Sequence, residues 1–391
     1  MQYKVIRWVF FINAFYVVIL LLRQILQIDT ISPILVLSQV ELLVLIAFGA
    51  NTLRFKREEL FLLFLVCIAL LKSDFDFYHL NNILIDFAKP ALFIAAVASI
   101  RSRGISAALT DKRLEKIFRL YAITTVVSVC IGLYYFSFIA SIYPAYSSVY
   151  SLLGYFYLLR RSRYLSSGFL ILLALSGKRA VILSGVFTQV ISRRYFYWKF
   201  SWLIIFIIVS IFLFFVLDQI GWNWIAINIL KLNLDLLGAT TDNVELLIYI
   251  TGGRMDELLD GLSYDFNVEN ILFGKSLGYT YESLAFEELE HKNFHFTPAS
   301  LFVNYGLIFM VLFIRYIFRI IFDKDVRACA EKYGNIYVIR MYMIGALFFF
   351  STEYGVFGYI NFCIGLGLLA GGKSVGRETG VASARPRYAT T

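Results

Sequence analysis

Residues 200–217 read FSWLIIFIIVSIFLFFVL, a run that contains no charged side chain. A helix needs about 20 mostly apolar residues to cross the hydrocarbon core of a bilayer, where no water can satisfy its backbone groups. The run approaches that length and is followed at once by Asp218. It therefore predicts a membrane-spanning helix.

The rest of the chain has the same character. Of its 391 residues, 60% are hydrophobic and 16% are charged, and the mean hydropathy is +0.73. Soluble domains are about half apolar and about a quarter charged, so this inventory cannot supply a water-facing surface. We predict an all-α polytopic membrane protein with about twelve spans. The predicted spans are residues 5–22, 34–50, 60–71, 82–100, 119–137, 145–159, 164–177, 180–192, 200–217, 298–314, 335–350 and 357–371.

The basic residues predict the orientation of these spans. With the N-terminus in the cytoplasm, about three quarters of the lysines and arginines fall on the cytoplasmic side, as the positive-inside rule requires. Both termini are then cytoplasmic, and residues 1–22 form a retained first helix, since no small-residue cleavage site follows them. This bias accounts for the formal charge of +9, so no nucleic-acid partner is expected.

One large loop interrupts the otherwise short connections. Residues 218–297 lie between the ninth and tenth spans, on the outer side, and residues 221–250 within them are amphipathic and aromatic. A loop of this length in a compact protein is usually functional or disordered, and the aromatic content of this one argues against disorder. We predict one transmembrane domain over 1–372 with this loop inserted, and a flexible cytoplasmic tail over 373–391. The four cysteines are scattered, so we expect no disulfide, zinc site or cofactor.

Four cations fall at the outer side of this topology or within the membrane. Lys89 lies inside the fourth span, Lys178 and Arg179 form the turn between the seventh and eighth, and Arg254 lies in the large loop. Charges there are costly and need a reason. Arginine binds phosphate through paired hydrogen bonds and lysine adds a point charge. The four cations together predict a site for an anionic headgroup.

Each cation also has a simpler interpretation, which the sequence leaves open. Lys89 follows Asp86 by three residues, the spacing of a helical ion pair. Lys178 and Arg179 are placed to extend into the membrane interface. Arg254 has acidic neighbours at Asp256 and Glu257 for a solvated pair.

Two further motifs carry possible chemistry. His295 precedes Pro298 by three residues, where the tenth span begins, so a neutral imidazole there could orient or deprotonate a hydroxyl group. Asp74, Asp76 and His79 are close enough in sequence to hold a divalent cation. The alternative is a solvated loop in which Lys72 neutralises the carboxylates, and we predict no metal site.

Three segments resemble the O-antigen polymerase and O-antigen ligase superfamily in the same order. The first is Leu175-Ser-Gly-Lys-Arg-Ala-Val-Ile-Leu183. The second is Gly252-Gly-Arg254 followed by Ile271-Leu-Phe-Gly-Lys-Ser-Leu-Gly278. The third is His295-Phe-Thr-Pro-Ala-Ser-Leu-Phe-Val-Asn-Tyr-Gly306-Leu-Ile. The chain departs from the family at Phe296, where the family has Asn, at Gly252, where it has Ser, and in the wider spacing from Gly274 to Gly278.

The resemblance implies a metal-independent, inverting glycosyltransferase of the C type in the bacterial inner membrane, with the large loop in the periplasm. Its donor would be a glycan on undecaprenyl pyrophosphate, and a polysaccharide chain-length regulator would be a possible partner. Arg254 and Arg179, with Lys89 and Lys178, would hold the pyrophosphate and stabilise its departure. His295 would orient or activate the acceptor, and residues 221–250 would guide the polyprenyl chain.

The acceptor decides between two activities within this superfamily. A polymerase adds one lipid-linked repeat unit to another, whereas a ligase transfers the chain to lipid A–core. The Phe- and Tyr-rich sequence and the loosened motifs resemble the polymerases more, so we favour that activity. A polysaccharide-lipid flippase is the alternative from another class, but it would be expected to show two similar halves, and we find no internal repeat.

Overall fold

The computed structural model describes most of the predicted membrane domain and parts of the large loop. The described residues are 2–26, 31–73, 80–101, 111–135, 149–175, 179–192, 267–279, 281–283, 288–291, 297–350 and 356–378. The ninth predicted span and most of the large loop lie outside these ranges.

Helices make up nearly all of the regular structure in the described residues. They are α1 (Gln2–Asn13), α2 (Tyr16–Leu26), α3 (Ile31–Gly49), α4 (Arg57–Leu71), α5 (Leu80–Arg101), α6 (Lys112–Tyr135), α7 (Ser151–Arg161), α8 (Arg163–Leu175), α9 (Arg179–Ser192), α10 (Val268–Phe273), α11 (Thr297–Ile321), α12 (Lys324–Lys332), α13 (Gly334–Phe350) and α14 (Ile360–Glu378). Short 3₁₀ turns span Ala50–Thr52 and Val356–Gly358. In the described part of the large loop, β1 (Tyr281–Ser283) and β2 (Glu288–His291) form an antiparallel hairpin.

Eleven of the predicted spans overlap these helices, with shifted ends, and the ninth lies outside the described residues. The fifth begins earlier, at Lys112, and the last helix continues to Glu378, beyond the predicted start of the tail at residue 373. The first span is divided into α1 and α2. At the break, the Asn13 amide donates to Val9 O at 2.8 Å and to the Glu41 carboxylate. A side chain that bonds the backbone four residues back competes with the regular helix, and α1 ends at this residue.

Three of the described helices are long and apolar enough to cross a membrane: α5, α6 and α11. The other apolar helices among the described residues are shorter. Within α11 the backbone at Gly306 is not helical, with φ 84° and ψ 169°, so this element is two helical segments joined at a kink. The total of about twelve spans stays a prediction.

Large apolar side chains line the outside of the helices. Trp8 is 61% exposed, and Phe64, Ile171 and Val311 are each more than half exposed. Extensive exposed apolar surface is rare on soluble monomers and is typical of surfaces that contact other apolar matter. The surface therefore agrees with helices that face lipid.

An aromatic core joins α5, α11 and α14. Phe93 of α5 contacts Phe313 of α11 and Phe362 of α14, with ring centroids 6.0 and 6.2 Å apart. Phe357, in the turn before α14, packs on Phe93 at 5.5 Å. Offset and edge-on ring pairs of this kind add to the free energy of burial. The core thereby links α5 and α11 through the rings of Phe93 and Phe313.

A buried ion pair connects α4, α5 and α11 at one end of this core. The Glu59 side chain is fully buried and pairs with Arg101 at the end of α5. Tyr316 of α11 donates a hydrogen bond to the same carboxylate at 2.6 Å. One residue earlier, Glu58 forms an exposed pair with Arg319. Two neighbouring glutamates on α4 thus each form an ion pair with an arginine, one buried and one exposed.

Substitution of these two glutamates should have very different effects on stability. Glu59→Ala leaves the Arg101 guanidinium buried without its charged partner, which costs about 3–5 kcal/mol. Glu58→Ala removes an exposed pair worth at most about 1 kcal/mol. Denaturant unfolding in detergent, followed by tryptophan fluorescence, measures both. Equal losses in the two variants would contradict the assignment of the buried pair.

Candidate functional site

The site is built around Asp86 in the first half of α5. Proline has no backbone N–H, so Pro90 leaves the carbonyl of Asp86, four residues before it, without its helical hydrogen bond. The hydroxyl group of Tyr305 in α11 donates to that carbonyl oxygen at 2.7 Å. This hydrogen bond replaces the one missing from α5 and links α11 to α5.

The carboxylate of Asp86 makes two further contacts. Its Oδ1 lies 3.6 Å from Lys89 Nζ, and both side chains are about 15% exposed. Its Oδ2 accepts a hydrogen bond from the amide of Gly278 at 3.1 Å. The helical ion pair that the sequence left open for Lys89 is therefore present, and it also binds the backbone of the large loop.

Two glycines from distant motifs meet beside this pair. Gly274 has φ 86° and Gly306 has φ 84°, with ψ near 165° at both, a backbone region that is essentially restricted to glycine. A Cβ on Gly274 would lie 2.6 Å from Asn304 O, and one on Gly306 would overlap Leu272 O. The second and third motif segments are thus in direct backbone contact.

Lys72, at the end of α4, fastens the loop segment to the helices. Its ammonium donates to Gly274 O at 2.9 Å and lies 3.3 Å from the Glu269 carboxylate. The hydroxyl oxygen of the adjacent Ser73 accepts a hydrogen bond from the amide of Leu277 at 3.0 Å. We call the surface formed by Lys72, Asp86, Lys89, residues 274–279 and residues 303–306 the motif face.

Lys275 adds a cation to the motif face. Its amide donates to Val303 O at 2.7 Å, which fixes the backbone at the start of the turn. Its ammonium lies 3.2 Å from the Tyr279 hydroxyl and 4.3 Å from the centre of that ring. Sequence analysis treated this residue only as a departure in glycine spacing. Nothing local in the sequence places it on the motif face, because its position depends on how the loop packs against the helices.

The structure places the predicted site residues unevenly. Lys89 lies on the motif face, and Arg179 is the first residue of α9, although its side chain lies outside the described part of the chain. Lys178, Arg254, His295, Asp74, Asp76 and His79 also lie outside the described residues. The chain is described again from Thr297, at the start of α11 and two residues after His295. Within the described ranges, no three His, Cys, Asp or Glu residues are grouped for a metal ion.

The comparisons with known proteins add no relative to these observations. No family model, curated protein or solved structure matches this chain. A functional interpretation therefore depends on the motif segments, the charges on the motif face and the chemistry that they permit.

The hydrogen bond between Tyr305 and Asp86 can be tested by a double-mutant cycle. Tyr305→Phe leaves the Asp86 carbonyl unsatisfied and should cost on the order of 1 kcal/mol. In a Pro90→Ala background the new amide at residue 90 can donate to the same carbonyl, so the cost of Tyr305→Phe should largely disappear. Unfolding free energies of the four proteins give the coupling. Additive effects would show that Pro90 and Tyr305 do not act on one acceptor.

Proposed function

We propose that this protein is an O-antigen polymerase, a glycosyltransferase of the C type that joins oligosaccharide repeat units carried on undecaprenyl pyrophosphate. The reaction would take place at the periplasmic face of the bacterial inner membrane. The observation that carries the proposal is the contact between the second and third motif segments, which meet at Gly274 and Gly306. Both segments also donate a hydrogen bond to Asp86, the ion-pair partner of Lys89. Segments that a resemblance assigns to one site are thus neighbours in the fold.

The proposed reaction is a substitution at the anomeric carbon of the donor glycan. An acceptor hydroxyl forms the new glycosidic bond while the bond from that carbon to the pyrophosphate oxygen breaks. The hydroxyl proton leaves toward a base, and the pyrophosphate departs on its lipid with additional negative charge. Catalysis then requires groups that stabilise this charge in a site with little water.

Cations are suited to the leaving group. Arg254 and Arg179 are proposed to bind the pyrophosphate oxygens, with Lys89 and Lys178 as additional charges. On the motif face, Asp86 and Lys89 form an ion pair 3.6 Å long, which fixes the position of the ammonium. His295 is proposed to orient or deprotonate the acceptor hydroxyl.

A lipid tail needs an apolar surface beside the motif face. A groove of about 270 Å³ lies between α11, α13 and the end of α9. It includes Thr297 at the start of α11, Phe313 in its middle and Phe322 just after its end, with Ile344 and Phe348 opposite. Because it begins two residues after His295, this groove supports a substrate whose polar end is processed next to an apolar chain.

The contacts also support the proposed topology. The helix α4 begins at the buried Glu59–Arg101 pair and ends at Lys72 on the motif face. The antiparallel α5 carries Asp86 near one end and Arg101 at the other. Contacts at the two ends thus join only helix ends that the alternating topology places on the same side. The bilayer and a polysaccharide chain-length regulator are the proposed partners, with both termini cytoplasmic.

The role of Arg254 is open to a direct test. Arg254→Ala should abolish formation of long-chain polysaccharide while the protein still inserts, because the departing pyrophosphate loses its bidentate donor. Lys231→Ala, in the same loop, is the matched control and should retain polymer. Normal laddering of polysaccharide on gels in the Arg254→Ala strain would remove this residue from the mechanism.

His295 should affect turnover separately from donor binding. We expect His295→Ala to lower the rate of transfer by about 10²–10⁴-fold with the affinity for the lipid-pyrophosphate donor unchanged. His291→Ala, at the end of β2, serves as the control for loss of a nearby imidazole. Purified protein with a fluorescent lipid-linked donor gives both quantities. A loss of donor affinity in His295→Ala would instead assign this residue to the pyrophosphate.

The products of a deletion strain distinguish the two activities of the superfamily. Core carrying a single repeat unit indicates a missing polymerase, whereas bare core with accumulated lipid-linked polymer indicates a missing ligase. Activity in the presence of a chelator separately tests whether Asp74 and Asp76 hold a required metal ion.

A further inference from the structure

A second charged region lies at the opposite end of the helices from the motif face. The starts of α6 and α13 and the end of α7 enclose a cavity of about 460 Å³. Its wall carries three cations, Lys112, Arg160 and Arg161, together with the first residues of α13, Gly334 and Asn335. We call this the basic cavity.

The acidic residues of the basic cavity are already engaged. Asp111 accepts hydrogen bonds from the Tyr3 hydroxyl at 2.9 Å and from the amide of Arg113 at 2.8 Å, and it pairs with Arg7. Although burial opposes ionisation, these contacts lower the pKa of Asp111 below its ordinary value, so the carboxylate stays charged and balances Arg7. Glu115 forms an ion pair with Arg161.

Lys112 and Arg160 are therefore left in excess. Among the described residues, no carboxylate lies within ion-pair distance of either side chain. The guanidinium of Arg160 lies directly against Gly334, where any Cβ would overlap it. This is also the start of α13, whose first intrahelical hydrogen bond runs from Tyr337 N to Tyr333 O. A cation at the positive end of a helix is repelled, and a bound anion would offset that repulsion.

We infer that the basic cavity binds a phosphate group through Arg160 and Lys112. An arginine, a lysine and the amide end of a helix are the groups that bind phosphate oxygens in proteins. In the topology proposed above, this end of the helices faces the cytoplasmic leaflet, where basic pockets between helices bind anionic lipid headgroups. The phosphate then belongs to an anionic phospholipid. The assignment of the phosphate to a lipid rests on that proposed topology. Phosphate binding by Arg160 and Lys112 does not depend on it.

Binding can be measured on the full-length protein in nanodiscs of phosphatidylcholine, with phosphatidylglycerol or inorganic phosphate as the probe. Native mass spectrometry counts retained phosphatidylglycerol, and thermal unfolding reports stabilisation by either probe. We expect Arg160→Gln and Lys112→Gln each to weaken binding about tenfold, since each removes one charge-assisted contact. Arg163→Gln, an exposed cation at the start of α8 that does not line the cavity, should bind as the wild type does.

The outcomes distinguish a lipid headgroup, a soluble phosphate and the absence of a phosphate site. Retention of phosphatidylglycerol that both cavity variants reduce supports a lipid headgroup. Stabilisation by inorganic phosphate with the same dependence on Arg160 supports the phosphate site with a soluble ligand. Equal losses in Arg163→Gln and Arg160→Gln, or no response of the wild type to either probe, would overturn it. Because polysaccharide synthesis is not measured, a failed polymerase assignment leaves this result unaffected.

Discussion

The motif face depends on one missing hydrogen bond. Pro90 has no amide hydrogen to donate to the Asp86 carbonyl oxygen. The hydroxyl group of Tyr305 in α11 donates to that oxygen instead, at 2.7 Å. An interrupted helix with a polar group inside an apolar protein needs another donor, because the unsatisfied carbonyl is costly there. The interruption thus specifies which element must lie next to α5. It also sets the position of Gly306, the residue after Tyr305, and through it the position of the loop turn.

Charge is distributed differently at the two ends of the described helices. At the motif face, Glu269 pairs with Lys72, which donates to Gly274 O. Asp86 pairs with Lys89 and accepts a hydrogen bond from the Gly278 amide. At the opposite end, Glu59 is buried with Arg101, while Lys112 and Arg160 face a cavity. Buried pairs of this kind contribute little net stability, because desolvation opposes their attraction, but they penalise any arrangement that separates the partners. The ion pairs therefore fix which helix ends meet.

Hydropathy predicted the helices because that signal is local. A stretch such as residues 298–314 is apolar along its own length, and α11 covers it. The break after Asn13 and the kink at Gly306 were not predicted, since each depends on a partner far away in sequence, Glu41 in one case and Gly274 in the other. The ion pair between Asp86 and Lys89 could be predicted, because residues three apart are neighbours on a helix. The hydrogen bond between Tyr305 and Asp86 could not be predicted from spacing. The proline four residues after Asp86 did indicate that the Asp86 carbonyl oxygen needs another donor.

The departure from the family's glycine spacing has a structural explanation. Gly274 and Gly278 both have positive φ, and each approaches other backbone closely, Gly274 at Asn304 and Gly278 at Ile83. Between them, Leu277 is buried in the core and Lys275 places its ammonium over Tyr279. The motif therefore combines two physical requirements. Its glycines permit close packing of loop on helix, and the positions between them accept a buried leucine and a half-buried lysine. Such a turn can be longer and still pack against the helices, provided that a glycine remains at each end.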